Sequence, residues 1–293
     1  MITLPAALVR WRTGISGDAG RTWLDGLPER VAALCGGWNL MPEKAPPLAG
    51  ATSLVVLVRR GPERLALRVC WPAHDLSAEV AALQAWDGDG AVRLVAVHPD
   101  GDAMLLQRLD PHRTLRHLPL ERAAPVAGRL LAQLAVPAPP GLPTLTAAAA
   151  DFAIRAPARN AALGRPIPTR SLCRSLDLAA SLPSDAGLLV HGDLHWGNVL
   201  ADGSGGWRAI DPKPVVGDSA VGLAELLWTR ADEVPTADDL RRLLHQIADA
   251  AGIDAGRAVG WTVVRAVDYW LWSLENGLTE DPVRCARLVD LFG

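Results

Sequence analysis

An aspartate and an asparagine stand five residues apart in His191-Gly192-Asp193-Leu194-His195-Trp196-Gly197-Asn198, directly behind the apolar run Leu188-Leu189-Val190. A second short β-prone run, Trp207-Arg208-Ala209-Ile210, then delivers Asp211. Phosphoryl transfer asks a protein for this set: one carboxylate to receive the proton of an attacking hydroxyl, and an amide and a second carboxylate to hold magnesium. On that reading Asp193 is the catalytic base, and Asn198 and Asp211 offer the oxygen donors that magnesium prefers. His191 braces the loop backbone, His195 supports it from within the loop, and Gly192 and Gly197 permit tight backbone geometry. The rival chemistry is a zinc hydrolase ligated by His191, Asp193 and His195, which the spacing permits but which leaves Asn198 and Asp211 without a role.

Other residues extend the first reading upstream. Ala49-Gly50-Ala51-Thr52-Ser53 stands before a β-rich run, and a small-residue loop there can cover nucleotide phosphates with backbone N–H groups, which brings in Gly50, Thr52 and Ser53. Arg68 is a cation among apolar residues at the end of that hairpin, and Glu79 lies on the next helical stretch. This is the layout of a strand cation that holds phosphates and pairs with a helix carboxylate. Lys44 and Lys213 are the two lysines of the chain, so any step that needs a lysine has two candidates; Lys213, two residues after Asp211, is placed to neutralise phosphate charge in part. Neither a Gly-x-x-x-x-Gly-Lys-Ser/Thr P-loop nor a Gly-x-Ser-x-Gly nucleophile elbow is present.

The elements that must position these residues fall into two groups. Apolar spacing predicts a helix over Arg21–Cys35, ended by Gly36-Gly37, and a Pro-rich linker over Met41–Leu48. Ser53–Arg60 and Arg64–Trp71 read as a hairpin, Asp75–Trp86 as a helix, and Val92–His98 with Met104–Arg108 as a second hairpin. Beyond Asp110 the pattern turns helical: Leu120–Leu134, Thr144–Asn160, Ser171–Ser181, Ala220–Thr229, Ala237–Ala251, Gly256–Asn276 and Asp281–Leu291, with the strands of the motif between. The expected architecture is α+β, a small antiparallel-sheet N-terminal lobe over 1–109 that binds nucleotide and a larger helical C-terminal lobe over 110–293 that carries catalysis and the acceptor. The joint falls near Gln107-Arg108-Leu109-Asp110, and active sites favour clefts between lobes.

Bulk properties narrow the partners. A net charge of −3 argues against nucleic acid or an anionic membrane as partner. No stretch approaches the ~20 apolar residues of a membrane span, and Met1-Ile2-Thr3-Leu4-Pro5 lacks the regions of a signal peptide. Cys35, Cys70, Cys173 and Cys285 are scattered, which suits buried thiols in a reducing cytoplasm. A monomer and a homodimer are both compatible with the sequence.

Together these motifs carry a resemblance. His191-Gly192-Asp193-Leu194-His195, the Gly197-Asn198 pair, Ala209-Ile210-Asp211-Pro212-Lys213-Pro214 and Val216-Gly217-Asp218 resemble the aminoglycoside phosphotransferases. The Asp-Pro-Lys-Pro form is most similar to the aminoglycoside/hydroxyurea resistance kinase branch, which includes streptomycin 6-phosphotransferases. Glu79-Val80-Ala81-Ala82-Leu83 and Leu105-Leu106 with Arg108-Leu109-Asp110-Pro111 are also similar to that branch. The resemblance implies a two-lobed protein-kinase-like fold, ATP and Mg2+ as cofactors, and a hydroxyl of a small molecule such as streptomycin as acceptor. It places Asp193 as base, Asn198 and Asp211 on magnesium, adenine near Gln107–Leu109, and Arg68 with Glu79 on the phosphates. Relatives carry lysine where this chain has Arg68. A cationic acceptor needs carboxylates and aromatic faces, for which Asp218, Glu225, Trp228, Asp268 and Trp272 are the candidates. A metabolic kinase with another substrate and a non-catalytic nucleotide-binding pseudokinase are the alternatives.

Overall fold

The computed structural model describes residues 2–50, 52–183 and 186–293; Met1 of the amino-terminal stretch and Ala51 of the small-residue loop lie outside the described residues. The chain divides into two compact units, one running to Gly88 and including Val92–Asp110, the other combining Asp89–Ala91 with Pro111–Gly293.

In the first unit α1 (Ala6–Gly37) starts well upstream of the Arg21 that apolar spacing predicts. Gly14, Gly17 and Gly20 lower helix propensity there, and the helix breaks its regular dihedrals at Gly17 (φ 50°, ψ −127°). The chain passes close to itself across that kink, since a Cβ on Gly20 would lie 2.5 Å from the Arg12 carbonyl oxygen. Leu8 before the kink and Leu24, Leu27, Val31 and Leu34 after it enter one core. They meet there the inward residues of β3 (Ser53–Arg60), β4 (Glu63–Cys70) and β6 (Ala103–Gln107), among them Leu54, Val58, Leu67 and Leu105. The segment expected as a linker instead forms β1 (Met41–Pro42) and β2 (Leu48–Ala49), both antiparallel to β3. Pro42 has no N–H to give, which an edge strand tolerates. With β5 (Leu94–Val97) the antiparallel sheet runs β1-β3-β4-β6-β5, and β2 pairs with β3 off that path. Asp75 accepts the Ser77 N–H at 2.8 Å, so α2 (Ser77–Trp86) begins two residues later than predicted and buries Glu79, Ala82, Leu83 and Trp86 along one face.

The second unit is helical around two small sheets. β7 (Asp110–Thr114) was not legible as a strand because Pro111 sits inside it. α3 (Leu120–Leu134), α4 (Leu145–Ala162) and α5 (Thr169–Ser181) follow, then β8 (Leu188–Val190), β9 (Val199–Ala201), β10 (Trp207–Ala209) and β11 (Val215–Gly217). β10, β9 and β7 form one sheet, and β11 returns antiparallel to β8. α6 (Leu223–Trp228), α7 (Ala237–Ala251), α8 (Ala255–Glu275) and α9 (Glu280–Phe292) complete it. α7 keeps its predicted bounds because the capping box of Thr236 and Asp239 starts it and left-handed Gly252 ends it. Among the described residues no helix is long and apolar enough to cross a membrane.

If the whole of α1 belongs to the first unit, truncating it inside the shared core costs what a core truncation costs. Leu27→Ala, at a residue 1% exposed, should lower unfolding free energy by about 2–4 kcal/mol in urea titration. A loss below about 0.5 kcal/mol would detach the helix from the core.

Candidate active site

Strand pairing brings the two motif loops together. β8 enters the loop 191–198, β9 and β10 form a hairpin, and β11 returns to β8, so the segment 210–214 lies against 191–193. The Lys213 N–H donates to the His191 carbonyl at 2.8 Å, and the Ile210 N–H donates to the Asn198 carbonyl at 2.9 Å. Gly192 makes the approach possible: its φ is 73°, and a Cβ there would sit 1.9 Å from the Lys213 carbonyl oxygen. A β-carbon is thus excluded by contact as well as by backbone conformation.

His191 is buried beneath this junction. Its Nδ1 accepts the Asp193 N–H at 3.3 Å, and its Nε2–H donates to the Ile210 carbonyl at 3.1 Å. That assignment is the neutral tautomer. Burial drives the imidazole pKa down to about 4, against the pull of Asp193 and Asp211. His195 accepts the Gly197 N–H at Nδ1, 3.0 Å away, and burial likewise lowers its pKa. With both nitrogens of His191 engaged in backbone hydrogen bonds, the zinc reading loses a ligand. Among the described residues the grouping with metal-ligand geometry is His98, Asp100 and Asp102, and the Arg30 guanidinium donates to all three.

The Asn198 amide nitrogen donates to the Asp193 carbonyl at 3.0 Å, which leaves its Oδ1 as the atom able to coordinate a cation. Asp211 is exposed and held in the left-handed region (φ 56°). Backbone strain of this kind costs about 1–3 kcal/mol and persists where surrounding contacts enforce it. The Asp193 carboxylate receives the Lys213 ammonium at 2.7 Å. Trp196, 1% exposed, anchors the middle of the loop by donating from Nε1 to the Leu226 carbonyl at 2.7 Å. The Arg230 guanidinium covers its ring, 5.5 Å from the centroid.

In the first unit Arg68 and Glu79 are both buried and form an ion pair, and Arg68 Nε donates to Ser53 Oγ at 3.2 Å. The Gly50 N–H donates to the Ser53 carbonyl at 3.0 Å, and the Thr52 carbonyl accepts the Trp71 N–H at 2.8 Å. Gln107 exchanges hydrogen bonds with the Arg93 backbone, and Leu109 is buried.

Beside Asp193 a cavity of about 780 Å³ opens within the second unit. Glu225, Trp228, Asp268 and Trp272 line it, as do His195 and Lys213. Asp218 does not line it: its carboxylate accepts from Arg257 Nε at 2.7 Å, Trp261 Nε1 at 2.9 Å and the Ala220 N–H at 2.9 Å, which makes it a structural cap. The sequence reading missed Tyr269, which lies between Trp228 and Trp272 in a stack with centroid separations of 4.8 and 5.4 Å. Its i, i+3 spacing to Trp272 on α8 was the available signal. It also missed the arginines of the wall, which come from distant segments and have no local signature.

A family model described as aminoglycoside/hydroxyurea antibiotic resistance kinase matches residues 37–277. A streptomycin 6-kinase of Streptomyces griseus is 34% identical over 285 residues, covering 95% of this chain and 93% of that one. A hydroxyurea phosphotransferase of Kitasatospora aureofaciens is 38% identical over 303 residues, covering 100% and 86%. Among solved structures, a thermostable mutant of aminoglycoside phosphotransferase APH(4)-Ia superimposes with a TM-score of 0.62 at 18% identity, covering 88% of this chain and 97% of that one. The fold is therefore the protein-kinase-like one.

The loop junction can be tested by paired glycine substitutions. Gly203 (φ 81°) has open space around it, so Gly203→Ala should cost about 1 kcal/mol of backbone strain alone. Gly192→Ala adds a clash with the Lys213 backbone and should cost at least ~2 kcal/mol more in urea titration, with loss of turnover. Equal costs for the two would contradict the close approach.

Proposed function

This chain belongs to the aminoglycoside/hydroxyurea antibiotic resistance kinases, and from that premise we propose that it moves the γ-phosphoryl group of ATP to a hydroxyl of a small antibiotic bound against Asp193. The supporting observation is the junction of the two loops, which fixes Asp193 at the wall of the 780 Å³ cavity with Asn198 on the same loop. The acceptor O–H gives its proton to the Asp193 carboxylate. Its oxygen forms a bond to the γ-phosphorus as the bond from phosphorus to the β–γ bridging oxygen breaks, and ADP leaves. Lys213, within reach of Asp193, adds positive charge beside the transferred group.

The residues present suit magnesium: the Asn198 Oδ1 is the free end of an amide whose nitrogen is engaged, and Asp211 offers a carboxylate. When bound, magnesium neutralises charge on the phosphate oxygens. Arg68 holds phosphate in the lysine's place and Glu79 orients it; Gly50, Thr52 and Ser53 border the phosphates; Gln107–Leu109 borders the adenine. Arg68 is charged and forked rather than compact, so replacement by lysine changes geometry as well as size. The acceptor follows the relatives, an aminocyclitol such as streptomycin or the small hydroxylated hydroxyurea. All four cysteines are free thiols, with Cys35, Cys70 and Cys285 buried and Cys173 exposed rather than buried as expected; free thiols fit work in the cytoplasm.

Asp193→Ala should keep ATP affinity and lower single-turnover transfer by roughly 10²-fold or more; turnover within a few-fold of wild type would remove Asp193 as base. Asp211→Asn should abolish the magnesium dependence of nucleotide binding while leaving the thermal midpoint nearly unchanged, since Asp211 is exposed. Calorimetric titration with and without magnesium checks this, and an unaltered magnesium dependence would refute it.

A further inference from the structure

The cavity beside Asp193 already holds a guanidinium in a two-carboxylate clamp, and that guanidinium belongs to the chain. Arg159 of α4 donates from Nε and Nη2 to the two oxygens of Glu275 at 2.8 and 2.9 Å, and from Nη1 to Asp268 Oδ1 at 2.7 Å. Every nitrogen of the fork is thus engaged by carboxylates of α8. Asp268, Trp272 and Glu275 follow at i, i+4 and i+7 and so share one face of that helix. All of them line the cavity together with Arg159. Trp272 ends the aromatic stack and is 43% exposed. The other lining carboxylates are less open to exchange. Asp193 is the proposed base. Glu225 is buried, and taking Arg265 from it would leave a desolvated charge. Asp281 is tied to Arg284 and to the Tyr269 hydroxyl at 3.1 Å. The Asp268 and Glu275 side chains are 33% and 36% exposed and share Arg159 between them. Arg265 stands 3.6 Å from Asp268 as a weaker second partner.

A positively charged acceptor entering this cavity finds each lining carboxylate paired. We propose that Asp268, Glu275 and Trp272 form the subsite for a planar, guanidinium-like cation of the acceptor, and that Arg159 is the internal occupant which this group displaces. A guanidinium reproduces the paired bonds to Glu275 and the further bond to Asp268 that Arg159 gives up, and its flat face can stack on Trp272. An ammonium is a point charge without a planar fork and cannot replace both contacts in the same geometry. Arg159 therefore sets specificity by competition: a cation that does not match its shape does not remove it. Arg159 lies in the last turn of α4, where the helix dipole favours a cation once the carboxylates are released. The proposal rests on the reading of Asp193 as the base beside the same cavity.

The test reads binding by calorimetry on the intact protein. The probes are streptomycin, which carries guanidinium groups, and kanamycin, which carries ammonium groups only. Wild type should bind streptomycin about tenfold or more tightly than kanamycin. Arg159→Gln should tighten both, kanamycin by more, and so shrink that ratio several-fold. Arg159→Lys keeps the charge but not the fork; it should tighten streptomycin by less, and it decides the matter if the glutamine variant fails to fold. In the Arg159→Gln background, Glu275→Gln should remove the gain. A purely structural Arg159 would instead give weaker or unchanged binding in both variants, with the ratio unmoved. That result, kanamycin matching streptomycin on wild type, no streptomycin binding to wild type or either variant, or a gain that survives Glu275→Gln would each overturn the proposal. Mg-ATP affinity is measured separately on the same protein: its absence would defeat the phosphotransfer reading, while the ranking of the probes still reports on Arg159.

Discussion

The catalytic side of this protein depends on one close approach, that of the Lys213 carbonyl to Gly192. The backbone there leaves no room for a β-carbon, so the two loops can meet only through a glycine. Once they meet, the buried neutral imidazole of His191 can satisfy the Asp193 N–H and the Ile210 carbonyl together. A charged imidazole would lack the acceptor that the Asp193 N–H requires. The orientation of Asp193, the engagement of the Asn198 amide and the left-handed turn at Asp211 are all consequences of that packing. Trp196 and Arg230 secure the same loop from below, tying it to the segment around Leu115–Leu118 and to α6.

The first unit holds a buried ion pair, Arg68–Glu79, and the second pairs the buried Glu225 with a half-buried Arg265. Pairs of this kind contribute little net stability, because desolvation offsets most of the attraction, yet removal of one partner is costly. Their value here is positional. Arg68 is fixed by Glu79 and Ser53 together, so a forked guanidinium stands in one orientation where a lysine would rotate. In the second unit, Arg265 and Arg159 hold the acidic side chains of α6 and α8 in a set arrangement and so decide the charge that the cavity presents.

Legibility in the sequence followed the range of the interactions involved. The 191–198 loop, the β3–β4 hairpin and α7 are local: strand pattern, turn residues and caps lie within a few positions of one another. The Arg68–Glu79 pair could be read because it spans a single hairpin-to-helix step. The first half of α1 was hidden by three glycines that tertiary packing tolerates, β1 and β2 by prolines at a sheet edge, and β7 by Pro111. The wall of the cavity beside Asp193 was the least legible part. Glu225, Asp268 and Trp272 stand out as residue types, but the arginine that neutralises Asp268 lies 109 positions earlier in the chain. Reading the acids alone leaves out the arginines that fix them, which only the fold brings alongside.

The central claim is that the junction holds Asp193 for direct transfer of phosphoryl to an acceptor hydroxyl. Phosphorus NMR of the protein incubated with Mg-ATP and a panel of hydroxylated acceptors, antibiotics included, tests it directly. The account predicts a new phosphoester resonance growing in step with ADP, dependent on the acceptor and absent in Asp193→Ala. ADP appearing with inorganic phosphate at the same rate with and without every acceptor, and unchanged in Asp193→Ala, would contradict it.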